Sequence, residues 1–182
     1  MAHLRPGRVD REPRRPFTRV AKRVAKRAYI KGVPDVKIHL FEMGNADPES
    51  CDVEVDLISS KHCQIRDNAL EAARIMANKQ FEKLILLDNY FFRVRVYPHQ
   101  VLREHFIAAG AGADRISKGM SHAFGSPSGR AAMVRVGQPV FSVWTKNEFA
   151  DKAKYIMNKA GQKMQGNCKV KWQNIKHNGH KN

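Results

Sequence analysis

Positive and negative charge are separated along this 182-residue chain, and that separation limits where a core can form. Residues 1–31 hold eleven lysines and arginines against two carboxylates, whereas residues 32–92 hold six against eleven. The sign then reverses, with seven against two over residues 93–137 and nine against two over residues 138–182, giving a net charge of +16. Self-repulsion of that size opposes compaction, and a polyanion alongside relieves it. A chain tuned only for solubility would intersperse the two signs. Nucleic acid or an anionic membrane surface is therefore the partner class to expect. The acidic middle is the natural scaffold.

A hydrophobic content of 42% is too high for a wholly disordered basic tail. At this length about 70% of the unfolded surface can be buried in one domain. The longest strongly aliphatic run, Leu84 to Leu87, is far short of a bilayer span, and no basic-then-apolar leader opens the chain. Neither secretion nor membrane insertion is expected. The three cysteines, Cys51, Cys63 and Cys168, include no C-x-x-C pair. That excludes a disulfide framework and a standard zinc ribbon, and it fits a reducing compartment. The doublet His62-Cys63 lacks the spacing of further metal ligands, so neither a metal nor a cofactor is expected.

The first 16 residues combine Pro6, Pro13 and Pro16 with Arg5, Arg8, Arg11, Arg14 and Arg15. Proline removes donors and restricts its predecessor, so this reads as an extended arm. A short repeat follows, Arg19-Val20-Ala21-Lys22 and Arg23-Val24-Ala25-Lys26, continuing into Arg27. Period four stacks Arg19, Arg23 and Arg27 in one helical column, at a cost of roughly 0.2–0.5 kcal/mol per like-charged pair. Phosphates beside the column would remove that cost. Asp10, Glu12 and the scarcity of serine argue against a transit peptide.

Three parts are expected: a basic arm over 1–31, one α+β domain over 32–176, and a polar tail over 177–182. Residues 37–42 alternate like a strand, as do Val53, Val55 and Leu57. Asn68 and Glu71 suit a capping box for a helix over about 67–80. Lys83 to Leu87 reads as a buried strand, and Phe92, Val94 and Val96 alternate as another. Ala132, Val134 and Val136 alternate, Gly137-Gln138-Pro139 turns, and residues 140–144 return as a hairpin partner. Thr145 and Glu148 suit a second capping box, with Gly161 as the C-terminal cap and a last strand over 169–172. The order implies a mixed sheet carrying two helices.

Residues 98–129 form a connection longer than compact domains usually tolerate. His99 to Phe106 has the spacing of a short helix. Five of the chain's twelve glycines, at 110, 112, 119, 125 and 129, follow. Glycine allows close backbone approach, Arg115, Lys118 and Arg130 add charge, and His122 and Phe124 offer stacking surfaces. A functional loop and a passive surface insertion both remain open on composition. The same stretch contains Ser117, Ser121, His105, His122 and Asp114, but nothing fixes their mutual geometry and no nucleophile elbow, dinucleotide fingerprint or phosphate loop is present. No catalytic residue is assigned.

Three stretches carry a family resemblance: 32–45 (GVPDVKIHLFEMGN), 68–79 (NALEAARIMANK), and 112–120 (GADRISKGM) with Ala123-Phe124-Gly125. In register from about residue 29 to 172, the chain resembles large-subunit ribosomal protein sixteen of the universal nomenclature, in its archaeal and eukaryotic ten-e branch. The resemblance implies an α/β-hammerhead fold and a structural, non-enzymatic constituent of the cytoplasmic ribosome. It implies large-subunit ribosomal RNA and neighbouring ribosomal proteins as partners, with no membrane and no autonomous homo-oligomer. The RNA-binding candidates Arg5, Arg8, Arg11, Arg14, Arg15, Arg19, Lys22, Arg23, Lys26 and Arg27 rest on charge alone, since the repeat at 19–28 is longer than the family's usual arm. In relatives the long loop points toward the peptidyl-transferase centre, near tRNA in the A and P sites. By position that loop includes Arg103, Asp114, Arg115, Lys118, Gly119, Met120, Phe124, Gly125 and Arg130. Relatives commonly carry basic residues where this chain has Ser121 and Ser126, which puts phosphate contact there in doubt. Two other readings compete: an RNA-modifying enzyme with the loop as lid, and a free-standing basic protein that compacts nucleic acid.

Overall fold

The computed structural model describes residues 30–105, 111, 115, 117 and 120–175. The strands β1 (Glu42–Met43), β2 (Val53–Ile58) and β3 (Cys63–Arg66) lead into helix α1 (Asp67–Leu84). Then come β4 (Tyr90–Val94), β5 (Gln100–Glu104), β6 (Ser126–Val134), β7 (Pro139–Thr145), helix α2 (Ala150–Gly161) and β8 (Lys169–Asn174). Among the described residues the architecture is α+β with two full helices, as expected from the sequence. Its strands divide between two sheets of orders β1-β4-β7-β2-β8 and β3-β6-β5, in which every pairing is antiparallel.

Alternation in β2 explains the larger sheet. Val53, Val55 and Leu57 are fully buried, while Glu54, Asp56 and Ile58 face outward. Their partners Thr145, Val143 and Phe141 on β7 face the same way, as do Tyr90, Phe92 and Val94 on β4. α1 and α2 pack on each other; α1 also touches β3, β4 and β6, so it links the two sheets. Leu70, Ala73, Ala77 and Phe81 recur at helical spacing and are all fully buried. Phe81 lies 5.1 Å from Tyr90 and 5.4 Å from Phe92, ring centre to ring centre.

Several local expectations are corrected. Lys83 to Leu87 is not a strand: α1 runs on to Leu84, the Ile85 amide bonds to the Phe81 carbonyl, and Leu86 adopts φ +69°. Only Ile85 of that aliphatic run is buried, and a short apolar run without alternation does not separate helix from strand. Of the 37–42 stretch only Glu42 is in a strand, β1; earlier in the stretch the Lys37 amide donates to Asp67 Oδ2 at 3.3 Å rather than to a strand neighbour. Arg66, not Asn68, is the N-cap of α1, with no side-chain cap bond. Thr145 ends β7 and donates to the Asn89 carbonyl at 2.9 Å, so it caps nothing. Gly161 is the last helical residue, and Gln162 is the C-cap, in right-handed conformation.

The expected β6–β7 hairpin is also replaced. β6 pairs with β3 and β5, whereas β7 pairs with β2 and β4. The turn at Gly137 carries the chain from one sheet to the other, tied to the end of β2 by the bonds Gly137 N to Ser59 O and Ser59 N to Gln138 O. Turn chemistry marks a reversal but does not name the strand that receives it.

One buried and one half-buried acid give this core a pH signature. The Tyr90 hydroxyl donates to Asn78 Oδ1 at 2.9 Å, and burial pushes its pKa from 10.0 up to about 12. Burial, with Cys63 nearby, pushes the Cys168 thiol from 9.0 up to about 11. Both groups keep their protons longer in the folded state than in the unfolded chain. Their contribution is complete below the unfolded values and is lost as pH rises through the folded ones. The urea midpoint should therefore hold between about pH 7 and pH 8.5 and fall from about pH 9 upward. A midpoint that climbs over that range would contradict this placement.

Candidate functional site

The expected loop begins later and ends earlier than its sequence suggests. Residues 100–104 form β5 rather than a helix, and β6 starts at Ser126, so sheet structure claims both ends of the 98–129 connection. Gln100, Val101 and Leu102 are buried in succession, which gives β5 no alternation to recognise. Pro127 and the polar run around it similarly disguise the start of β6. Pairing runs Leu102 to Gly129, then Arg103 to Pro127 and Glu104 to Ser126, with a register shift between Leu102 and Arg103. An irregularity of this kind bends a strand and re-aims its side chains.

Three of the expected site residues converge at that end of the sheet. Gly125 takes φ +76°, and a Cβ there would stand 2.6 Å from the carbonyl carbon and oxygen of Glu104. Only a residue without a side chain lets the two ends of the connection close so tightly. Arg103 Nη1 donates to the Gly125 carbonyl at 2.9 Å, and its guanidinium carbon lies 4.3 Å from the centre of the Phe124 ring. A cation on an exposed ring contributes about 0.5–1 kcal/mol. Phe124 is nevertheless 65% exposed and Met120 74% exposed. This is a braced pedestal that presents an aromatic ring and a thioether outward.

Arg130 does something else. It pairs with Val101 in the strand ladder, and its Nε donates to the Pro34 carbonyl at 2.8 Å, holding the segment that enters the domain. Pro34 was not singled out in the sequence, and no local pattern points to a contact 96 positions away. Arg115 is exposed. Asp114, Lys118, Gly119 and the arm residues Arg5, Arg8, Arg11, Arg14, Arg15, Arg19, Lys22, Arg23, Lys26 and Arg27 lie outside the described residues. Among the described residues no group of three or more His, Cys, Asp or Glu side chains is placed to hold a metal, and no helix is long and apolar enough to cross a membrane.

The comparison with known proteins decides the lineage. The family model described as ribosomal protein L16p/L10e matches residues 14–171, most of the chain. The chain belongs to the ribosomal protein L16p/L10e family. It is 43% identical over 166 residues to the large ribosomal subunit protein uL16 of Archaeoglobus fulgidus, covering 91% of each chain. It is 50% identical over 139 residues to that of Methanocella arvoryzae, covering 76% of this chain and 80% of the relative. The protein of the same name from Staphylothermus marinus is 47% identical over 139 residues, covering 76% and 79%. The family match spans both helices, the connection with its Gly125 closure and both sheets up to the first half of β8.

Proposed function

We propose that the chain is a structural constituent of the large ribosomal subunit of the cytoplasmic ribosome. In this reading it binds large-subunit ribosomal RNA, sits among neighbouring ribosomal proteins and catalyses nothing itself. The observation that carries the proposal is the 43–50% identity, over 76–91% of the chain, with archaeal proteins named as large-subunit components. The segregated charge of +16 supports an RNA partner, because phosphates relieve the repulsion that the basic segments create. Within this reading the arm residues from Arg5 to Arg27 contact ribosomal RNA. The connection between β5 and β6 reaches toward tRNA near the peptidyl-transferase centre.

The pedestal supports the finer half of the proposal. An RNA contact needs a ring that can stack on a base and cations that can meet phosphates. Phe124 is exposed at the mouth of the connection, and Arg115 is exposed within it. Arg103, spent on the Gly125 carbonyl and the Phe124 ring, acts by positioning that ring.

The test has two arms. Quantitative mass spectrometry of separated subunits should find the chain in stoichiometric amount with the large subunit and absent from the small one. Recovery mainly off the ribosome would favour a compaction protein or a modifying enzyme instead. Replacing residues 110–121 by a short linker should leave the melting temperature of the free protein nearly unchanged and impair peptide synthesis by ribosomes that carry it. Normal synthesis would make the connection a passive insertion.

A further inference from the structure

Beyond Asp151 the chain carries eight lysines and no aspartate or glutamate, and the elements it builds there are most of α2 and all of β8. Among the described residues β8 is the outermost strand of its sheet, paired only with β2. Trp172 is the register partner of Val55 and shares its face. Val55 is fully buried, whereas α2, which packs on β8 as well as β2, leaves Trp172 50% exposed at the edge strand. Tyr155 of α2 is 55% exposed. The two rings line one open groove of about 560 Å³ together with Lys154, Asn158 and Lys169.

Each ring carries an ammonium group. Lys154 Nζ lies 4.0 Å from the centre of the Trp172 ring, and Lys159 Nζ lies 4.3 Å from that of Tyr155. Asp151 pairs with Lys154 at 3.1 Å. Glu54 and Asp56 belong to the opposite face of the sheet, where they are partnered by Gln173 and Lys171. The groove is thus aromatic and cationic, with an amide for base edges; Val170 and Cys168 are its small apolar lining residues, far short of the aliphatic stripe that an amphipathic protein helix requires.

We propose that this groove binds unpaired RNA nucleotides, a second contact separate from the β5–β6 connection. The proposal rests on the RNA-binding reading above. Bases stack on Tyr155 and Trp172, every base having a face to offer, while Lys159 and Lys169 meet the flanking phosphates. The ammonium groups now above the rings move aside to the backbone phosphates, and Asp151, almost fully exposed, exchanges Lys154 for water at little cost. A duplex keeps its base faces stacked internally and cannot use the two rings, so the groove should prefer single strands.

Full-length protein with Trp144→Phe leaves Trp172 as the one tryptophan, and its fluorescence should be quenched by a single-stranded uridine oligonucleotide more than by a duplex of equal length. The pair Tyr155→Ala and Trp172→Ala should weaken binding of that oligonucleotide about tenfold or more. Trp172→Phe should restore most of it, since a phenyl ring still stacks, and this variant guards against a folding artefact. A photoreactive residue at 172 in assembled large subunits should cross-link to RNA. If the alanine pair binds as tightly as the parent, if quenching is absent, or if the cross-link goes to a protein, the groove is not an RNA site. If the parent chain itself binds no RNA, the RNA-binding reading fails with it.

Discussion

Phe81→Ala is expected to destabilise the free protein by about 3–5 kcal/mol, the range for removing a large aromatic ring from a close-packed core. The ring is fully buried at the end of α1, in contact with Tyr90 and Phe92 of β4, and Phe92 in turn meets Phe141 of β7 edge-on at 5.3 Å. Truncation leaves a cavity where helix and sheet meet, and neither can close it without losing contacts elsewhere. The melting temperature should fall by about 6–20 °C in a domain of this size. Phe91→Ala provides the control: Phe91 sits on the opposite face of β4, half-buried beside Trp144 at 5.6 Å. Its loss should cost clearly less. A change below about 1 kcal/mol for Phe81→Ala would show that the ring cluster does not hold helix to sheet.

Sequence legibility differed element by element, for physical reasons. β2 and β4 were readable because one face of each is buried and the other is wet, so their side chains alternate. The α1 stripe was readable for the same reason at a helical period. β5 is buried on consecutive positions and β3 shows the pattern buried, buried, buried, half-buried, so neither leaves a period-two signature. The division into two sheets was not readable at all. It depends on which strands meet, and the deciding bonds join Ser59 to Gly137 and Gln138, far apart in sequence.

Charge arithmetic carried the functional class further than it carried individual residues. Arg74 counts as one positive charge in the sequence, yet it is 9% exposed and forms a two-pronged pair with Glu71, Nε to Oε2 at 2.8 Å and Nη2 to Oε1 at 2.5 Å. Its third contact is Met43 Sδ at 3.2 Å, so it belongs to the core. Arg103 and Arg130 likewise donate to backbone carbonyls of this chain. Glycine content was the better guide to Gly125, because its spacing in the GADRISKGM-to-Phe-Gly stretch marks a place where the backbone must approach another strand. The basic, aromatic groove of α2 and β8 gave no compact motif, because its two rings are 17 positions apart and meet only through the packing of α2 on the sheet.

Gly125→Val should unfasten the base of the β5–β6 connection. A β-branched residue at φ +76° is a strained outlier, and its Cβ would stand 2.6 Å from the Glu104 carbonyl and 2.8 Å from the His105 amide nitrogen. Those neighbours are backbone atoms and cannot swing aside as a side chain can. Relief requires residues 104 and 125 to part, which breaks the Glu104–Ser126 pairing and pulls the Gly125 carbonyl from Arg103. Strain and the lost charged hydrogen bond together amount to roughly 2–5 kcal/mol, concentrated at this end of the smaller sheet. Amide exchange should therefore accelerate at residues 103–105 and 126–128, while the ring cluster around Phe81 stays protected. Gly129→Ala, four positions on and within β6, is the control, since a Cβ there meets nothing within 4 Å. Under the proposed function, ribosomes carrying Gly125→Val should assemble yet translate poorly, because Phe124 and Met120 lose their fixed pedestal. Unchanged exchange at both strand ends would mean that the close approach at Gly125 does not set the geometry of the connection.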